Sequence, residues 1–400
     1  MRTAISSAPV VQTGLERLLA EKPAWTKDRR LGLLCNQASV NRNFHHARTC
    51  VNNAFPGQLK AVFSPQHGLF SEKQDNMKES PHLTDPELAI PVFSLYGKSR
   101  SPLKEQLELT DILLIDLQDV GCRVYTYIWT IFLAMKACAE HGVEVAVLDR
   151  PNPLGGHDIE GSIMAKEFYS FVGMAPIPMR HGMTVAELAM FFSELEDIPR
   201  PHILPMKGWR PSFCYEDTGL PWVMPSPNMP AMSTAVVYPG QVLLEGTNIS
   251  EGRGTTRPFE IFGAPWLDAT GIIRRMELSG LKGFFLRRQD FEPTFNKYAG
   301  EHCQGVQIHV VDRKLFTPYT FTLVLLSTIM EMHPDRFEWS RPPYEYEFER
   351  LPFDLITGNS RTRQAVEGCG DIDTFRAICA CDEKDFFEQR KPYLLYERLP

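Results

Sequence analysis

The sequence predicts an α/β protein with a doubly wound, mostly parallel sheet and a smaller α+β domain at the C-terminus. Apolar runs of strand length recur through the first 150 residues, and each ends in a polar or glycine-bearing segment. A Leu- and Ala-rich segment of helical length separates the last two runs, and the pattern changes beyond about residue 235. Runs that are apolar on both faces suit a parallel sheet covered by helices.

The first elements follow in a regular order. Residues 13–21 carry leucines at helical spacing and predict a short amphipathic helix. Residues 130–141 predict a longer helix that Gly142 ends. Short strand–helix–strand connections indicate the doubly wound pattern. The predicted strands lie at 31–35, 60–63, 91–95, 111–116 and 143–148.

The later elements are less regular. Thr184 and Glu187 form a capping box that opens a helix running through Phe192. Residues 196–235 are rich in proline and aromatic side chains and predict an ordered binding loop or domain edge. We place a domain boundary at the end of this segment, near residue 235, which gives domains 1–235 and 236–400. In the second domain, 306–311 predicts a strand and 320–332 a buried helix.

The bulk composition excludes several classes of protein. A length of 400 residues favours two domains. The net charge of −7 argues against broad binding to nucleic acid or anionic membranes. There is no apolar run long enough to span a bilayer, and the N-terminus lacks the apolar stretch of a signal peptide. Nine scattered cysteines without a C-x-x-C motif favour free thiols in a reducing compartment, so we expect a cytoplasmic protein.

The predicted strand ends bring many polar side chains to one rim of the sheet, where α/β proteins bind ligands. Asp and Asn at such positions also cap helices and shape turns, which is the alternative for any single residue. Caps and turns need neither arginine nor tyrosine, so the whole set favours a rim that hydrogen-bonds a sugar. Its members are Asn36, Ser39, Gln66, His67, Asp116, Gln118, Asp119, Arg123, Tyr125, Asp149, Arg150 and Asn152.

Motif searches exclude most other chemistries. No G-x-G-x-x-G or phosphate-binding loop is present, no H-E-x-x-H motif occurs, and no G-x-S-x-G elbow supplies a nucleophile. We therefore expect no nucleotide cofactor and no metal.

Carboxylate chemistry such as glycoside hydrolysis remains. For Glu245 and Glu251, the alternative to a catalytic role is an ion pair with Arg253 or Arg257 that shapes the loop. For His67, the alternative to contact with the sugar or the acid is a structural role in its loop. The candidate catalytic carboxylates are Glu72, Asp75, Asp116, Asp119, Glu245 and Glu251.

Seven segments closely resemble the DUF1343 family, which includes the bacterial exo-β-N-acetylmuramidases called NamZ. The resemblance covers about residues 30 to 400. The segments are Phe63-Ser-Pro-Gln-His-Gly-Leu69, Pro91-Val-Phe-Ser-Leu-Tyr-Gly97, Asp116-Leu-Gln-Asp-Val-Gly-Cys-Arg-Val-Tyr-Thr-Tyr127, Leu148-Asp-Arg-Pro-Asn-Pro-Leu-Gly-Gly156, Pro178-Met-Arg-His-Gly-Met-Thr184, Pro225-Ser-Pro-Asn-Met-Pro230 and Glu245-Gly-Thr-Asn-Ile-Ser-Glu-Gly-Arg-Gly-Thr255.

The resemblance implies a Rossmann-like N-terminal domain that carries the active site. It also implies release of terminal N-acetylmuramic acid from fragments of the cell wall, without a cofactor. His181 and Arg253 join the expected substrate contacts because they lie in matching segments. The lactyl carboxylate of muramic acid favours an arginine partner, and Arg123, Arg150, Arg180 or Arg253 could supply it.

One position departs from the family. The muramidases typically read Pro-Glu-His-Gly after the second strand, and that glutamate looks catalytic; here the residue is Gln66. An amide cannot donate a proton as a carboxylic acid does. Three alternatives follow. A neighbour such as Glu72 or Asp75 supplies the acid; or the glutamine positions another group and the protein works differently, for example on another N-acetylated or acidic sugar; or the protein binds muropeptides without cleaving them.

Overall fold

The N-terminal half is built on a seven-stranded sheet, as the sequence predicts. A computed structural model describes residues 11–74 and 78–398. The strand order is β3-β4-β2-β1-β5-β6-β7, parallel except for the β3–β4 pair. The strands are β1 (Leu31–Cys35), β2 (Leu59–Ser64), β3 (Leu83–Thr84), β4 (Pro91–Ser94), β5 (Ile112–Asp116), β6 (Glu144–Leu148) and β7 (His202–Leu204).

Helices cover both faces of this sheet and bury its central strands β1 and β5 over their full length. Leu33 of β1 faces a core shared with the first two helices, whereas its neighbour Leu34 faces a core shared with the fourth. This alternation follows from the two-residue period of a strand. The helices are α1 (Gly14–Glu21), α2 (Ala47–Ala54), α3 (Lys104–Leu107), α4 (Tyr127–His141) and α5 (Val185–Leu195).

The C-terminal half contains a three-stranded antiparallel sheet in the order β8-β10-β9. Its long helix α8 is buried over most of its length and packs on α6 and α7. The elements are α6 (Met232–Gln241), β8 (Ile261–Ala264), α7 (Ala269–Leu278), β9 (Phe284–Arg288), β10 (Gln304–Val310), α8 (Pro318–Met332), α9 (Pro352–Thr357), α10 (Arg361–Glu367) and α11 (Ile372–Gln389).

The predicted fold class and most predicted elements are confirmed. Thr184 caps α5 reciprocally with Glu187, and Gly142 ends α4 with φ 69°. The expectation of an irregular 196–235 segment is wrong in part, because it contains β7 and the start of α6. Residue 235 lies within α6, and the two-domain division stays a prediction. Over the described residues, no helix is both long and apolar enough to cross a membrane.

Candidate functional site

A pocket lies where the rim of the N-terminal sheet meets the C-terminal half. It has about 470 Å³ of space free of protein atoms, part of it open to solvent. The turn after β2 contributes to one wall, as does the loop that leads from β5 into α4. Its lining residues are Gln66, His67, Val124, Tyr125, Thr126, Tyr127, Val172, Ser226, Asn228, Met229, Tyr238, Glu245, Arg253, Phe259, Tyr344 and Glu345.

Gln66 is buried in the pocket wall and oriented by a neighbouring hydroxyl. Oγ1 of Thr126 donates a hydrogen bond of 2.7 Å to its Oε1. The amide nitrogen therefore points away from Thr126, and the side chain of Gln66 is near enough to Glu345 to lower the pKa of that carboxyl group. Gln66 thus presents a donor to an acidic side chain.

Glu345 is a pocket carboxyl that the sequence analysis did not single out. It is 6% exposed, and its Oε2 accepts a hydrogen bond of 2.8 Å from the hydroxyl of Tyr96. Burial raises the pKa of Glu345, and the negative charge of Glu245 adds to the rise. Burial has the largest effect; the hydrogen bond from Tyr96, the charge of Arg100 and the nearby amide of Gln66 lower this pKa in part.

Glu245 is the second carboxyl of the pocket, and its environment differs from that of Glu345. Its Oε1 accepts a hydrogen bond of 2.6 Å from Nη2 of Arg253, and its Oε2 accepts one of 2.7 Å from the hydroxyl of Tyr344. Both carboxyl oxygens of Glu245 are therefore held by hydrogen-bond donors. Two neighbouring carboxyl groups in unlike environments suit acid and charge-stabilising roles.

Glu251 lies behind the pocket and does not line it. Its carboxylate is 2.9 Å from Nζ of Lys297 and 3.3 Å from Nε of Arg253. These two cations, foremost Lys297, lower the pKa of Glu251 against the effect of burial. Glu251 therefore fixes Arg253, which in turn holds Glu245.

His67 has a defined tautomer. Its Nδ1 is 2.6 Å from the carbonyl oxygen of Lys73 and must carry the proton, which leaves Nε2 as an acceptor. Burial lowers the pKa of His67 to about 4, so the ring is neutral at pH 7. The backbone of His67 is left-handed, with φ 76°, in the tight turn that Gly68 completes.

A wall of aromatic rings gives the pocket its apolar side. Tyr125 stacks edge-to-face on Tyr127 with 4.8 Å between centroids, and Tyr238 packs in the same way on Phe259. Such amphipathic rings suit a sugar, which offers C–H faces and hydroxyl edges.

Several predicted contacts lie outside the pocket, each held in a structural network. Arg150 makes two hydrogen bonds, of 2.6 and 2.9 Å, to the buried carboxylate of Asp116. The side chain of Asn36 closes the turn at Ala38 and Ser39. Asn152 bonds the carbonyl of Met183 and the amide of Leu154. A substrate-binding role for these residues stays a prediction that the pocket does not support.

Arg123 and Asp149 join segments that are distant in sequence. The fully buried guanidinium of Arg123 donates to the carbonyls of Ser162, Ile177 and Ile356. Asp149 accepts from the amide of Ala186 at the start of α5 and from the hydroxyl of Tyr396. Neither side chain lines the pocket.

Asp119 and His181 form a buried pair beneath the rim. Nε2 of His181 is 3.9 Å from Oδ2 of Asp119. Burial raises the pKa of Asp119 to about 7 and lowers the pKa of His181 to about 3, so neither group is fully charged at pH 7. Neither residue lines the pocket, and their predicted site roles stay predictions.

The remaining acidic candidates follow the turn after β2. Glu72 has an exposed side chain whose carboxylate lies over Gly68, and it is not among the pocket residues. Asp75 lies outside the described residues.

Ser226, Asn228 and Tyr344 also line the pocket and were missed, as Glu345 was. Asn228 belongs to a segment quoted for the family resemblance, which could have drawn attention to it. For Glu345, the available signal is the stretch Pro342-Pro-Tyr-Glu-Tyr-Glu347, where aromatic and acidic residues alternate after two prolines. Within ranges 11–74 and 78–398, no group of three or more His, Cys, Asp or Glu side chains is placed to hold a metal ion.

Comparison with known proteins gives a consistent result. The family model described as "Exo-beta-N-acetylmuramidase NamZ, N-terminal" matches residues 31–233, and its C-terminal counterpart matches 236–396. The peptidoglycan beta-N-acetylmuramidase NamZ of Bacillus subtilis (strain 168) is 40% identical over 389 residues, which is 97% of this chain and 92% of that protein.

Solved structures of two DUF1343 family proteins from Bacteroides fragilis share the fold. One has a TM-score of 0.86 at 31% identity, and the other a TM-score of 0.74 at 29% identity. In both cases the match covers 97% of this chain and 99% of the solved chain. The chain therefore belongs to the NamZ family of exo-β-N-acetylmuramidases, also described as DUF1343.

Proposed function

We propose that this protein is a glycoside hydrolase that releases terminal β-linked N-acetylmuramic acid from peptidoglycan fragments during cell-wall turnover. Family membership supports the reaction class, as does the name of the Bacillus subtilis relative. The observation that carries the proposal is the pair of unlike carboxyl groups in one pocket. Glu345 has a raised pKa, and Glu245 is bonded by Arg253 and Tyr344.

In this proposal Glu345 is the general acid. Its proton passes to the glycosidic oxygen as the bond from that oxygen to the anomeric carbon breaks, and the leaving sugar departs as an alcohol. The burial that raises its pKa keeps the carboxyl group protonated at higher pH than an exposed glutamate. Tyr96 holds one oxygen of this group, which fixes the direction of the other.

Glu245 has the complementary role. Its carboxylate stabilises the positive charge that develops at the anomeric carbon; water then adds to that carbon and releases one proton, which restores the proton that Glu345 gave to the leaving oxygen. Arg253 and Tyr344 hold both of its oxygens and limit its rotation. Glu251, which is itself paired with Lys297, holds Arg253 in place, so the carboxylate of Glu245 is prepositioned before substrate binds.

Gln66 is a positioning residue in this account. It replaces the glutamate that the muramidases typically carry, and its amide acts on Glu345. Although position 66 carries no carboxyl group, Glu345 still supplies the pocket with an acid. This favours hydrolysis over the alternative that the protein binds muropeptides without cleaving them.

The compartment and the domain division are proposals too. All nine cysteines are unpaired in the described part of the chain, and five are buried, which fits a cytoplasmic protein in a reducing compartment. We also propose domains 1–235 and 236–400, with the pocket between them.

Chromogenic substrates test the function. The purified protein should release 4-nitrophenol from the β-N-acetylmuramide and leave the matching N-acetylglucosaminide intact. Preference for another glycoside would reassign the specificity. Tight calorimetric binding of N-acetylmuramic acid without any product would show a binding protein.

A further inference from the structure

A muramyl substrate brings a negative charge into this site, in the form of its lactyl carboxylate. The lactyl group leaves the sugar ring at a carbon two bonds from the anomeric carbon. The protein group that receives it must therefore lie close to the pair Glu245 and Glu345. A cation without an acidic partner is the natural recipient, since it needs no rearrangement of existing ion pairs.

The four arginines expected from the sequence are already occupied. Arg253 lies between Glu245 and Glu251, Arg150 is paired with Asp116, and Arg180 is bonded to Asp158 and Glu160. Arg123 donates to three backbone carbonyls. Binding a carboxylate at any of these would break a buried interaction.

Arg100 differs from all four. No carboxylate among residues 11–74 and 78–398 forms an ion pair with its guanidinium, and its buried Nε has no hydrogen-bond acceptor there. Three aromatic rings hold the group instead. Its Cζ is 4.0 Å from the ring centroid of Tyr346, 4.7 Å from that of Phe171 and 5.2 Å from that of Tyr96.

These three rings tie Arg100 to the pocket. The hydroxyl of Tyr96 donates a hydrogen bond to Glu345, and Tyr346 follows Glu345 in the chain. Phe171 precedes Val172, a lining residue. The charge of Arg100 is also close enough to Glu345 to lower the pKa of that carboxyl. Arg100 is partly exposed, so a ligand can reach it.

We propose that Arg100 binds the lactyl carboxylate of muramic acid and is thereby a specificity-determining residue of the site. The inference rests on the proposed function. The three rings restrict the position of the guanidinium, and its planar fork of N–H donors matches a carboxylate in two parallel hydrogen bonds. The same charge gives a reason to prefer a muramyl sugar over N-acetylglucosamine, which lacks the lactyl group.

A matched pair of substrates separates this role from a purely structural one. The first is 4-nitrophenyl β-N-acetylmuramide, and the second is the same compound with its lactyl carboxylate converted to a neutral methylamide. For Arg100→Gln we expect kcat/KM to fall at least about tenfold on the acid and by less than about twofold on the amide. Arg100→Lys, which keeps the charge but loses the planar fork, should lie between Arg100→Gln and wild type.

Lys98→Gln is the control, because it removes one positive charge from an exposed side chain two residues away. It should leave the ratio between the two substrates unchanged. An equal loss on both substrates in Arg100→Gln would overturn the proposal and make Arg100 a support for the Glu345 segment.

Binding measurements keep this test separate from the proposed function. Calorimetry with free N-acetylmuramic acid and N-acetylglucosamine needs no turnover. Selective loss of N-acetylmuramic acid binding in Arg100→Gln would support the role of Arg100 even if wild type cleaves neither glycoside. Unchanged binding of N-acetylmuramic acid would overturn it even if wild type is an active muramidase.

Discussion

The hydroxyl of Tyr96 donates a hydrogen bond of 2.8 Å to Oε2 of Glu345, across 249 positions of the chain. Tyr96 follows β4 in the N-terminal half, whereas Glu345 lies beyond α8 in the C-terminal half. The bond therefore completes the pocket from both halves of the chain. It also orients the carboxyl group whose pKa is raised by burial.

Glu345→Gln tests the general acid through the leaving group. An amide cannot protonate the departing oxygen, so kcat on a muramyl disaccharide should fall by about 10² to 10⁴, with little change in KM. An aryl glycoside with a good leaving group needs less protonation and should lose far less. Glu349→Gln, an exposed acid four residues on, is the control and should behave as wild type. Equal losses on both substrates would assign Glu345 another role.

Gln66→Glu tests the contact between Gln66 and Glu345. The change removes an amide that lowers the pKa of Glu345 and adds a second carboxyl group beside it. Both effects disfavour ionisation of Glu345, so its pKa should rise. The acid works in its protonated form, and the alkaline limb of the kcat/KM profile should move to higher pH. A limb that stays in place, with rates measured from pH 4 to pH 10, would contradict the assignment.

Arg123→Lys tests whether Arg123 has a structural role. A lysine cannot replace all three of the bonds that Arg123 makes to the carbonyls of Ser162, Ile177 and Ile356. We expect a loss of about 2 to 3 kcal/mol in the free energy of unfolding, measured with urea. Turnover per folded molecule should stay near that of wild type. A selective rise in KM without a loss of stability would instead return Arg123 to the substrate contacts.

Asp119→Asn tests the buried carboxyl beneath the rim. Burial raises the pKa of Asp119 to about 7. At pH values below this pKa and above that of an exposed aspartate, the folded protein keeps this proton, whereas the unfolded chain has released it. The resulting stabilisation is complete below about pH 4 and is lost as the pH rises toward 7, at up to about 1.4 kcal/mol per pH unit. Asparagine does not titrate, so the Asp119→Asn variant does not lose stability in this way as the pH rises. Its melting temperature relative to wild type should therefore increase between pH 5 and pH 8, and a constant difference would argue against a raised pKa.

The sequence was most informative about the N-terminal sheet and its rim. Strands buried on both faces leave long apolar runs, and a parallel sheet brings their carboxyl ends to one edge. Gln66, His67 and Tyr125 line the pocket for this reason. Within the rim, however, Arg123 and Asp116 are used in buried networks. Their partners are backbone carbonyls and an arginine beyond the next strand, which no local pattern reveals.

The C-terminal contribution was harder to predict. Glu245 and Arg253 were found through a glycine-rich segment of the family resemblance, but Glu345 was not. The segment around it is irregular, so no helical or strand period marks which side chains face inward. Its neighbours Tyr96 and Gln66 lie in the other half of the chain.

The most direct measurement is a crystal structure of the Glu345→Gln variant with an uncleaved muramyl disaccharide. We predict that the glycosidic oxygen lies within about 3 Å of the amide at position 345, with the anomeric carbon facing Glu245. A disaccharide whose glycosidic oxygen lies beyond hydrogen-bond reach of position 345, or which binds away from this pocket, would contradict the proposed mechanism.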